Sequence, residues 1–222
     1  MKKSATTFLA AALFATTAAT VPVSANESTL YGTTSEEISS NGTISLDPEN
    51  RSDDVIISDV MTFDEIVKEM SEDMNISISE ASSIVKNSNG MNSLSDAQLA
   101  AATYRTFSKY LDVSPVYQPQ IKFYCETTEG GGSFRGIVQI VNYQMDRRDG
   151  NVTKQFSGTL FAHLEHANKI HWIVNGDFYH NGNTNISGGG SIGLKGMGEI
   201  TFSISGDANH FTYFYDDGDF LY

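Results

Sequence analysis

The sequence predicts an α+β protein in which short N-terminal helices precede an antiparallel β-meander domain, closed as a barrel or packed as a sandwich. Two observations support this fold class. Between residues 61 and 112, apolar residues recur every three or four positions, which is the period of an amphipathic helix. From residue 118 onward they alternate with polar residues, and turn sequences separate the alternating runs. The chain is therefore divided into a helical segment, 61–112, and an antiparallel β-domain, 118–222.

The first 25 residues have the pattern of a secretory signal peptide. Met1-Lys2-Lys3 is basic, an apolar run follows over residues 5–19, and Val23-Ser24-Ala25 places small residues at the spacing that signal peptidase requires. The apolar run is too short to span a bilayer. We therefore expect a secreted, extracellular protein that begins near Asn26 and has no stable membrane anchor.

The net charge and the number of cysteines limit which partners the protein can bind and which kind of organism it comes from. The formal net charge is -13, and loss of the signal peptide changes it to -15, with 12 basic residues against 27 acidic ones. Such a charge repels nucleic acid and anionic lipid surfaces, so no nucleic-acid partner is expected. Cys125 is the only cysteine, which excludes a disulfide within one chain. An exported chain without disulfides is typical of a Gram-positive bacterium.

Residues 26–60 are predicted to form a disordered leader or linker. They are mainly Ser, Thr, Asn, Asp and Glu with scattered apolar residues. Such a composition buries too little apolar surface to offset the entropy of ordering the chain.

Three short helices are predicted within 61–112, because apolar residues at helical spacing follow each of three cap sequences. The cap pairs are Thr62 with Glu65, Ser77 with Glu80, and Ser95 with Gln98. The third helix is expected to continue to Leu111, with Phe107 and Tyr110 on its apolar side. The second helix carries serines where a DNA-reading helix carries basic or amide side chains, so DNA binding is not expected.

Seven or eight strands are predicted beyond residue 118, joined by short turns that make consecutive strands antiparallel. The expected strands are 121–127, 136–145, 153–165, 170–179, 185–194, 199–205 and 210–215, with a short last one near Phe220. The expected turns are Asp149-Gly150, Asn181-Gly182, 195–198, Gly206-Asp207 and Asp217-Gly218. The glycine-rich run 186–193 indicates sharp curvature of the sheet, or a surface that another group approaches closely.

Candidates for catalysis are few, and we lean towards a protein that is not an enzyme. The enzyme alternative is a metal- or histidine-assisted hydrolase that acts on cell-wall or environmental polymer, using His163, Glu165, His171 and Asp177, which a hairpin could bring together. The spacing of His163 and His166 is three rather than the four of helical zinc proteases. No metal site and no cofactor are expected.

A binding site is the main functional hypothesis, and its candidates combine aromatic rings with amide and carboxylate groups. The main candidates are Trp172, Asn175, Asp177, Tyr179 and Asn181, and the same half of the sheet also contains Tyr213, Tyr215, Asn183 and Asn185. Rings can cover the apolar face of a sugar or peptide while the polar groups bind its hydroxyls or amides. Against this, Trp172 falls on the inner face of its strand, and turn geometry alone explains the Asn-Gly pairs.

The expected function is therefore a non-enzymatic extracellular binding or interaction module for an unidentified ligand, either a glycan or a protein. The hydrolase is one alternative. A third class is a secreted, toxin-like effector whose glycine-rich hairpin rearranges at membranes, although the acidic charge disfavours it.

Two motifs add a resemblance to a known family. Phe156-Ser157-Gly158-Thr159 and the run Val174–Tyr179, together with an upstream helical segment and a signal peptide, resemble exported Gram-positive proteins with a C-terminal domain of unknown function. The resemblance covers the C-terminal half of the chain and the helices before it. It implies export and a β-domain, but no activity, substrate or site residue.

Overall fold

Most of the residues described in the computed structural model, 55–88, 96–130 and 135–222, belong to antiparallel strands. The predicted signal peptide, 1–25, and residues 26–54 of the predicted leader lie outside the described residues. The described strands form two sheets of five strands each and one small two-stranded hairpin. The antiparallel, β-rich character predicted from the sequence is confirmed.

The elements are numbered in chain order. The helices are α1 (Phe63–Met74), α2 (Ile78–Asn87) and α3 (Asp96–Ala101). The strands are β1 (Ile56–Ile57), β2 (Thr103–Tyr110), β3 (Gln120–Glu129), β4 (Arg135–Asp146), β5 (Arg148–Asp149), β6 (Val152–Thr153), β7 (Gln155–His166), β8 (Lys169–Tyr179), β9 (Asn183–Gly188), β10 (Ile192–Gly193), β11 (Met197–Ser205) and β12 (His210–Leu221). The first sheet has the order β1-β2-β3-β4-β10, and the second has the order β12-β8-β7-β11-β9.

The two sheets pack face to face as a sandwich around one aromatic core. In the first sheet the Phe123 and Tyr143 rings stack with centroids 5.6 Å apart. Phe123 also contacts Phe220 of the second sheet at 5.3 Å, and Phe220 contacts Trp172 at 6.2 Å. All four side chains are buried. Fully burying a large apolar side chain contributes about 1.5–3 kcal/mol, so burial of these four side chains helps to hold the sheets together.

A glycine run carries the chain from one sheet to the other. β9 ends the second sheet, Gly188-Gly189-Gly190-Ser191 crosses over, and β10 pairs with β4 in the first sheet. Gly188, Gly189 and Gly190 have φ values of +83°, +83° and +117°. A Cβ on Gly188 would lie 2.5 Å from the Glu199 carbonyl oxygen, so both the backbone conformation and the close approach require glycine. The predicted single strand 185–194 is therefore two short strands in different sheets.

Helices α1 and α2 cover the outer face of the first sheet. Ile66, Met70 and Val85 pack there against Tyr104 and Tyr124 of the sheet. The predicted capping box at the start of α1 is present, since Thr62 and Glu65 each bind the other's backbone N–H.

A polar clamp also holds α1 to the sheet. Asp73 of α1 accepts hydrogen bonds from Lys122 Nζ at 2.6 Å and from the Tyr124 hydroxyl at 2.8 Å. Lys122 also contacts Glu69 at 3.2 Å. These charges are largely shielded from solvent, and their pairing offsets the cost of burying them.

The third predicted helix is wrong beyond Ala101, because Thr103–Tyr110 forms strand β2. Tyr104 packs against the helices, whereas Phe107 faces the core between the sheets. Residues an odd number of positions apart lie on opposite faces of a strand, and both faces of β2 are covered. The resulting spacing of three between buried aromatics imitates the period of a helix.

The predicted order of elements is also wrong. Strand β1 lies within the predicted leader 26–60 and precedes the helices, so they are not N-terminal to a separate β-domain, and the fold is not strictly α+β. The sheets are not a simple meander either, since β8 pairs with both β7 and β12, and β11 pairs with both β7 and β9. The structure is an antiparallel sandwich with helices on one side.

Asp217-Gly218, predicted to form a turn, lies inside β12. Gly218 is the register partner of Trp172, and a Cβ at this position would lie 2.9 Å from the indole Cζ2. Glycine is present here because the largest core side chain lies against the strand, and no change of chain direction is involved.

The end of β12 is held by Tyr222, the residue that follows it. The Tyr222 hydroxyl donates to Glu129 Oε1 at 2.7 Å, and Arg105 contacts both oxygens of Glu129 at 3.0 Å. The hydrogen bonds from Arg105, followed by those from Tyr222 and Thr127, lower the pKa of Glu129 to about 2. This cluster ties β12 to β2 and β3 of the first sheet.

We predict that Gly218→Ala destabilises the protein, because the added methyl group must displace the buried Trp172 ring. Overpacking of this kind costs about 1–3 kcal/mol in the free energy of unfolding. The matched control is Gly193→Ala, since a Cβ there meets nothing within 4 Å. Urea unfolding of both variants measures the effect. Equal losses of stability in the two variants would contradict the close packing of Trp172 on Gly218.

We predict that the protein loses stability in acid because Glu129 becomes protonated. Its carboxylate is favoured in the folded protein, so its contribution is fully present above pH 4.5 and is lost as the pH falls towards 2. Glu129→Gln should therefore lower the melting temperature near pH 6, and the difference from the wild type should shrink between pH 4.5 and pH 2. Glu72→Gln, which removes an exposed carboxylate, is the control. The prediction would be contradicted if the melting temperatures of the wild type and Glu129→Gln differed by the same amount at every pH.

Candidate functional site

The outer face of the second sheet follows from the two-residue period of its strands. In β8, Trp172, Val174 and Phe178 are buried towards the core. The residues between them, including Asn175 and Asp177, therefore face away from it. Helices α1 and α2 pack on the first sheet, and no described helix packs on this outer face.

Strand β12 adds two exposed tyrosines to this face. Tyr213 and Tyr215 are 58% and 53% exposed. They lie opposite Asp177 and Asn175 of β8, respectively. The Tyr213 hydroxyl donates to Asn175 Oδ1 at 2.9 Å, and His210 Nε2 lies 2.8 Å from Asp177 Oδ1. Rings and polar groups from two strands are thus held together by register and by hydrogen bonds.

Short hydroxyl side chains extend the same rows across the sheet. Ser157 and Thr159 of β7 lie opposite Asp177 and Asn175. Thr201 of β11 lies opposite Thr159. The result is a broad face with tyrosines at one edge and small polar groups beyond them. We call the residues Asn175, Asp177, Tyr179, Tyr213 and Tyr215, with Ser157, Thr159 and Thr201, the tyrosine face.

Two of the residues predicted to bind a ligand do not belong to this face. Trp172 is 1% exposed and lies in the core, where Lys109 Nζ approaches its ring at 5.2 Å. Asn181 holds a turn: its Nδ2 donates to the Asp207 carbonyl at 3.0 Å, and its Oδ1 accepts from Asn209 N–H at 2.7 Å. Tyr213 and Tyr215, which the sequence also indicated, do belong to it, and the register between β8 and β12 places them beside Asp177 and Asn175.

The predicted catalytic residues divide into two places. His163 and His171 are directly opposed across the hairpin, and His163 Nδ1 lies 3.8 Å from Glu165. Lys169, which the sequence did not single out, binds both Glu165 and Asp219 at 3.0 Å, and His171 Nδ1 lies 3.0 Å from Asp219 Oδ1. The hydrogen bond from Lys169 lowers the pKa of Glu165. These five side chains form an ion-pair cluster in which Lys169 occupies the centre.

Asp177 does not join this cluster. It lies six residues from His171 along β8, which is about 20 Å in an extended strand, and it pairs with His210 instead. In the described part of the chain, no group of three or more His, Cys, Asp or Glu residues is arranged to hold a metal ion. The buried Cys125 offers no nucleophile, because burial raises the pKa of its thiol and disfavours the reactive thiolate.

Comparisons of the chain with protein-family models, curated proteins and solved structures found no match in any of the three. Among the described residues, no helix has the length and apolar character needed to cross a membrane.

We predict that Trp172 contributes to stability as a core residue. Trp172→Phe leaves part of a fully buried site unfilled and should lower the free energy of unfolding by about 1–3 kcal/mol. The control, Tyr215→Phe, removes only an exposed hydroxyl and should change it by less than about 0.5 kcal/mol. Urea unfolding measures both. A Trp172→Phe variant as stable as the wild type would show that the indole does not fill the core.

Proposed function

We propose that this chain is an exported, non-enzymatic binding module and that the tyrosine face binds an extended, uncharged polysaccharide. The observation that carries the proposal is the pair of exposed rings, Tyr213 and Tyr215, in register with Asp177 and Asn175. Export rests on the signal-peptide pattern of the first 25 residues.

The spacing of the tyrosines suits a polymer. Tyr213 and Tyr215 are two positions apart on one strand, so their side chains leave the same side of the sheet about 7 Å apart. Each ring can cover the apolar face of a sugar, while its hydroxyl and the neighbouring amide bind sugar hydroxyls. The hydrogen bond from Tyr213 to Asn175 orders both groups before the ligand arrives, which lowers the entropy cost of binding.

The composition of the face favours a glycan over a protein. The cores of protein interfaces are enriched in aromatic residues, Met and Arg and depleted in Ser and in acidic residues. Here the tyrosines continue into Ser157, Thr159 and Thr201, with Asp177 among them. Small hydroxyls leave a flat surface on which a polymer can lie. The acidic charge of the face and of the whole chain disfavours anionic polysaccharides.

The hydrolase alternative has less support. The cluster of His163, His171 and Asp219 lies on an open sheet face, whereas catalytic groups are usually enclosed in a cleft. Lys169 neutralises both nearby carboxylates, and Asp177 lies elsewhere. A binding surface accounts for the exposed tyrosines, which the hydrolase alternative leaves without a role.

We predict that Tyr215→Ala weakens binding of the secreted protein to insoluble polysaccharide by about tenfold or more, the loss expected for an interface residue that contributes more than 1.4 kcal/mol. The probes are chitin and cellulose, in depletion assays at neutral pH, and purified peptidoglycan, whose stem peptides carry carboxylates, is the anionic comparison. Tyr213→Ala and Asn175→Ala should weaken binding to the same polymer.

The control is Val116→Ala, an exposed apolar residue outside this face, which should bind as the wild type does. Binding to neither chitin nor cellulose, or binding that all three face variants retain, would refute the proposal. Release of soluble sugar from the polymer would support the hydrolase instead, and leakage of neutral lipid vesicles would support the membrane-active class.

A further inference from the structure

A cleft of about 630 Å³ lies between α2, β4 and the glycine run that connects β9 to β10. It is separate from the tyrosine face. Five consecutive residues of β4, 141–145, line it, which means that the edge of this strand, as well as single side chains, borders the cleft.

The edge of β4 is left unpaired along this stretch. On one side β4 pairs with β3 over almost its whole length. On the other side β10 pairs only with Gln139 and Ile140, and no other described strand continues the ladder. The glycine run reaches this edge only at β10, since β9, up to Gly188, still belongs to the second sheet.

One backbone N–H that could pair with a neighbouring strand, that of Tyr143, is hydrogen-bonded to a side chain instead. The backbone N–H of Tyr143 donates to Asn142 Oδ1 at 2.9 Å, and Asn142 Nδ2 lies 3.5 Å from Met74 Sδ. Backbone groups of a strand point to alternate sides, so those of Met145 face the same edge as those of Tyr143. The edge therefore offers donors and acceptors at the spacing of a β-ladder.

The walls of the cleft differ in character. Ile186, Ile200 and Phe202 give one apolar wall on the side of the second sheet. On the opposite side, Ile84 lies beside the polar groups of α2. Glu80 is the only charged residue among the described lining residues.

We propose that this cleft binds an extended polypeptide segment of a partner protein, which pairs with residues 141–145 of β4 as an added strand. Addition of a strand to a sheet edge gains affinity from main-chain hydrogen bonds and specificity from alternate side chains. The segment has apolar residues at every second position, facing Ile186 and Phe202. Its other residues are neutral or basic, because Glu80 and the net charge of -13 repel acidic ones.

The glycine run makes room for this strand. Gly188, Gly189 and Gly190 are exposed and carry no side chain into the cleft. A Cβ at Gly190 would meet nothing within 4 Å, so open space surrounds this part of the crossover. Close approach of a second backbone is a usual reason for glycine at the edge of a sheet.

The probe is a capped, fluorescently labelled hexapeptide of alternating Lys and Val, titrated into the secreted protein and followed by anisotropy. The expected results are saturable binding and slower hydrogen exchange at the amides of Tyr143 and Met145. A peptide of alternating Glu and Val should bind at least tenfold more weakly, and Glu80→Gln should reduce that difference.

Two N-methylated forms of the Lys-Val peptide test the backbone pairing directly. One is methylated at the Lys residues and the other at the Val residues. Only one set of amides faces β4, so one form should lose binding at least tenfold while the other retains it. Equal binding of the two forms, or unchanged exchange at Tyr143 and Met145, would overturn the proposal. Absence of saturable binding would overturn it as well.

Variants locate the site. Ile186→Arg adds a bulky cation at the mouth of the cleft and should weaken binding of the Lys-Val peptide at least tenfold. Val116→Arg, at an exposed apolar residue that does not line the cleft, is the matched control. Tyr215→Ala should leave peptide binding unchanged, which separates this proposal from polysaccharide binding at the tyrosine face. Loss of peptide binding in the Tyr215→Ala or Val116→Arg variant would place the peptide elsewhere and overturn the proposal.

Discussion

The contact between Phe123 of the first sheet and Phe220 of the second is the interaction on which the candidate site depends. It places Phe220 inward, in line with Trp172. Because side chains alternate strictly along a strand, Tyr215 and Tyr213 must then point outward. A slip of one residue between β8 and β12 would bury the tyrosines and expose the phenylalanines, and the large loss of apolar burial makes that register unfavourable. The tyrosine face is thus a consequence of the core.

The two sheets differ in how many of their faces are covered by other elements. The first is covered on both faces, by the second sheet and by α1 and α2, and the clamp of Lys122 on Asp73 holds that cover. Among the described residues, the second is covered on one face only. A polar outer face needs no cover, and this is why the alternation in β7 and β8 is so clear in the sequence. The same asymmetry explains which strands could be recognised from the sequence and which could not.

The hairpin of β7 and β8 is predictable because each strand is half-buried, and both strands appear within one or two residues of their predicted bounds. Strand β2 escapes prediction because both of its faces are buried, and Tyr104 and Phe107 then repeat like helical residues. The turn predicted at Gly218 is wrong for a different reason. The sequence does not distinguish a glycine that forms a turn from one that makes room for a large ring. Burial of Trp172 decides between these two possibilities.

Which residues lie together in the candidate site depends on pairing between strands that are far apart in the sequence. Asn175 and Asp177 are visible as outward residues of a hairpin, whereas their neighbours Tyr213 and Tyr215 come from a strand more than thirty residues later. The same holds for Asp219, which completes the ion pairs of Lys169 and His171 in the place expected for Asp177. Local pattern predicts which face a residue occupies, but only the strand order predicts its neighbours. The resemblance to exported Gram-positive proteins stays a prediction for a related reason, since its motifs are strand and turn signatures that many β-proteins share.

The strand edges of the sandwich differ in how well they are protected against pairing with another chain. An exposed strand edge invites pairing with other chains, and proteins commonly blunt it with charges or by shortening the strand. Strand β12 carries Asp216, Asp217 and Asp219, and Asp216 turns inward to Lys109 at 3.7 Å. Strand β1 has only two residues. The edge of β4 at 141–145 has no charged side chain, and a single amide from Asn142 occupies it. Strand β9, at the other edge of the second sheet, has no charged side chain either, and its Ile186 and Gly188 line the same cleft. The uncharged edges of β4 and β9 therefore border the cleft in which we propose that a strand is added.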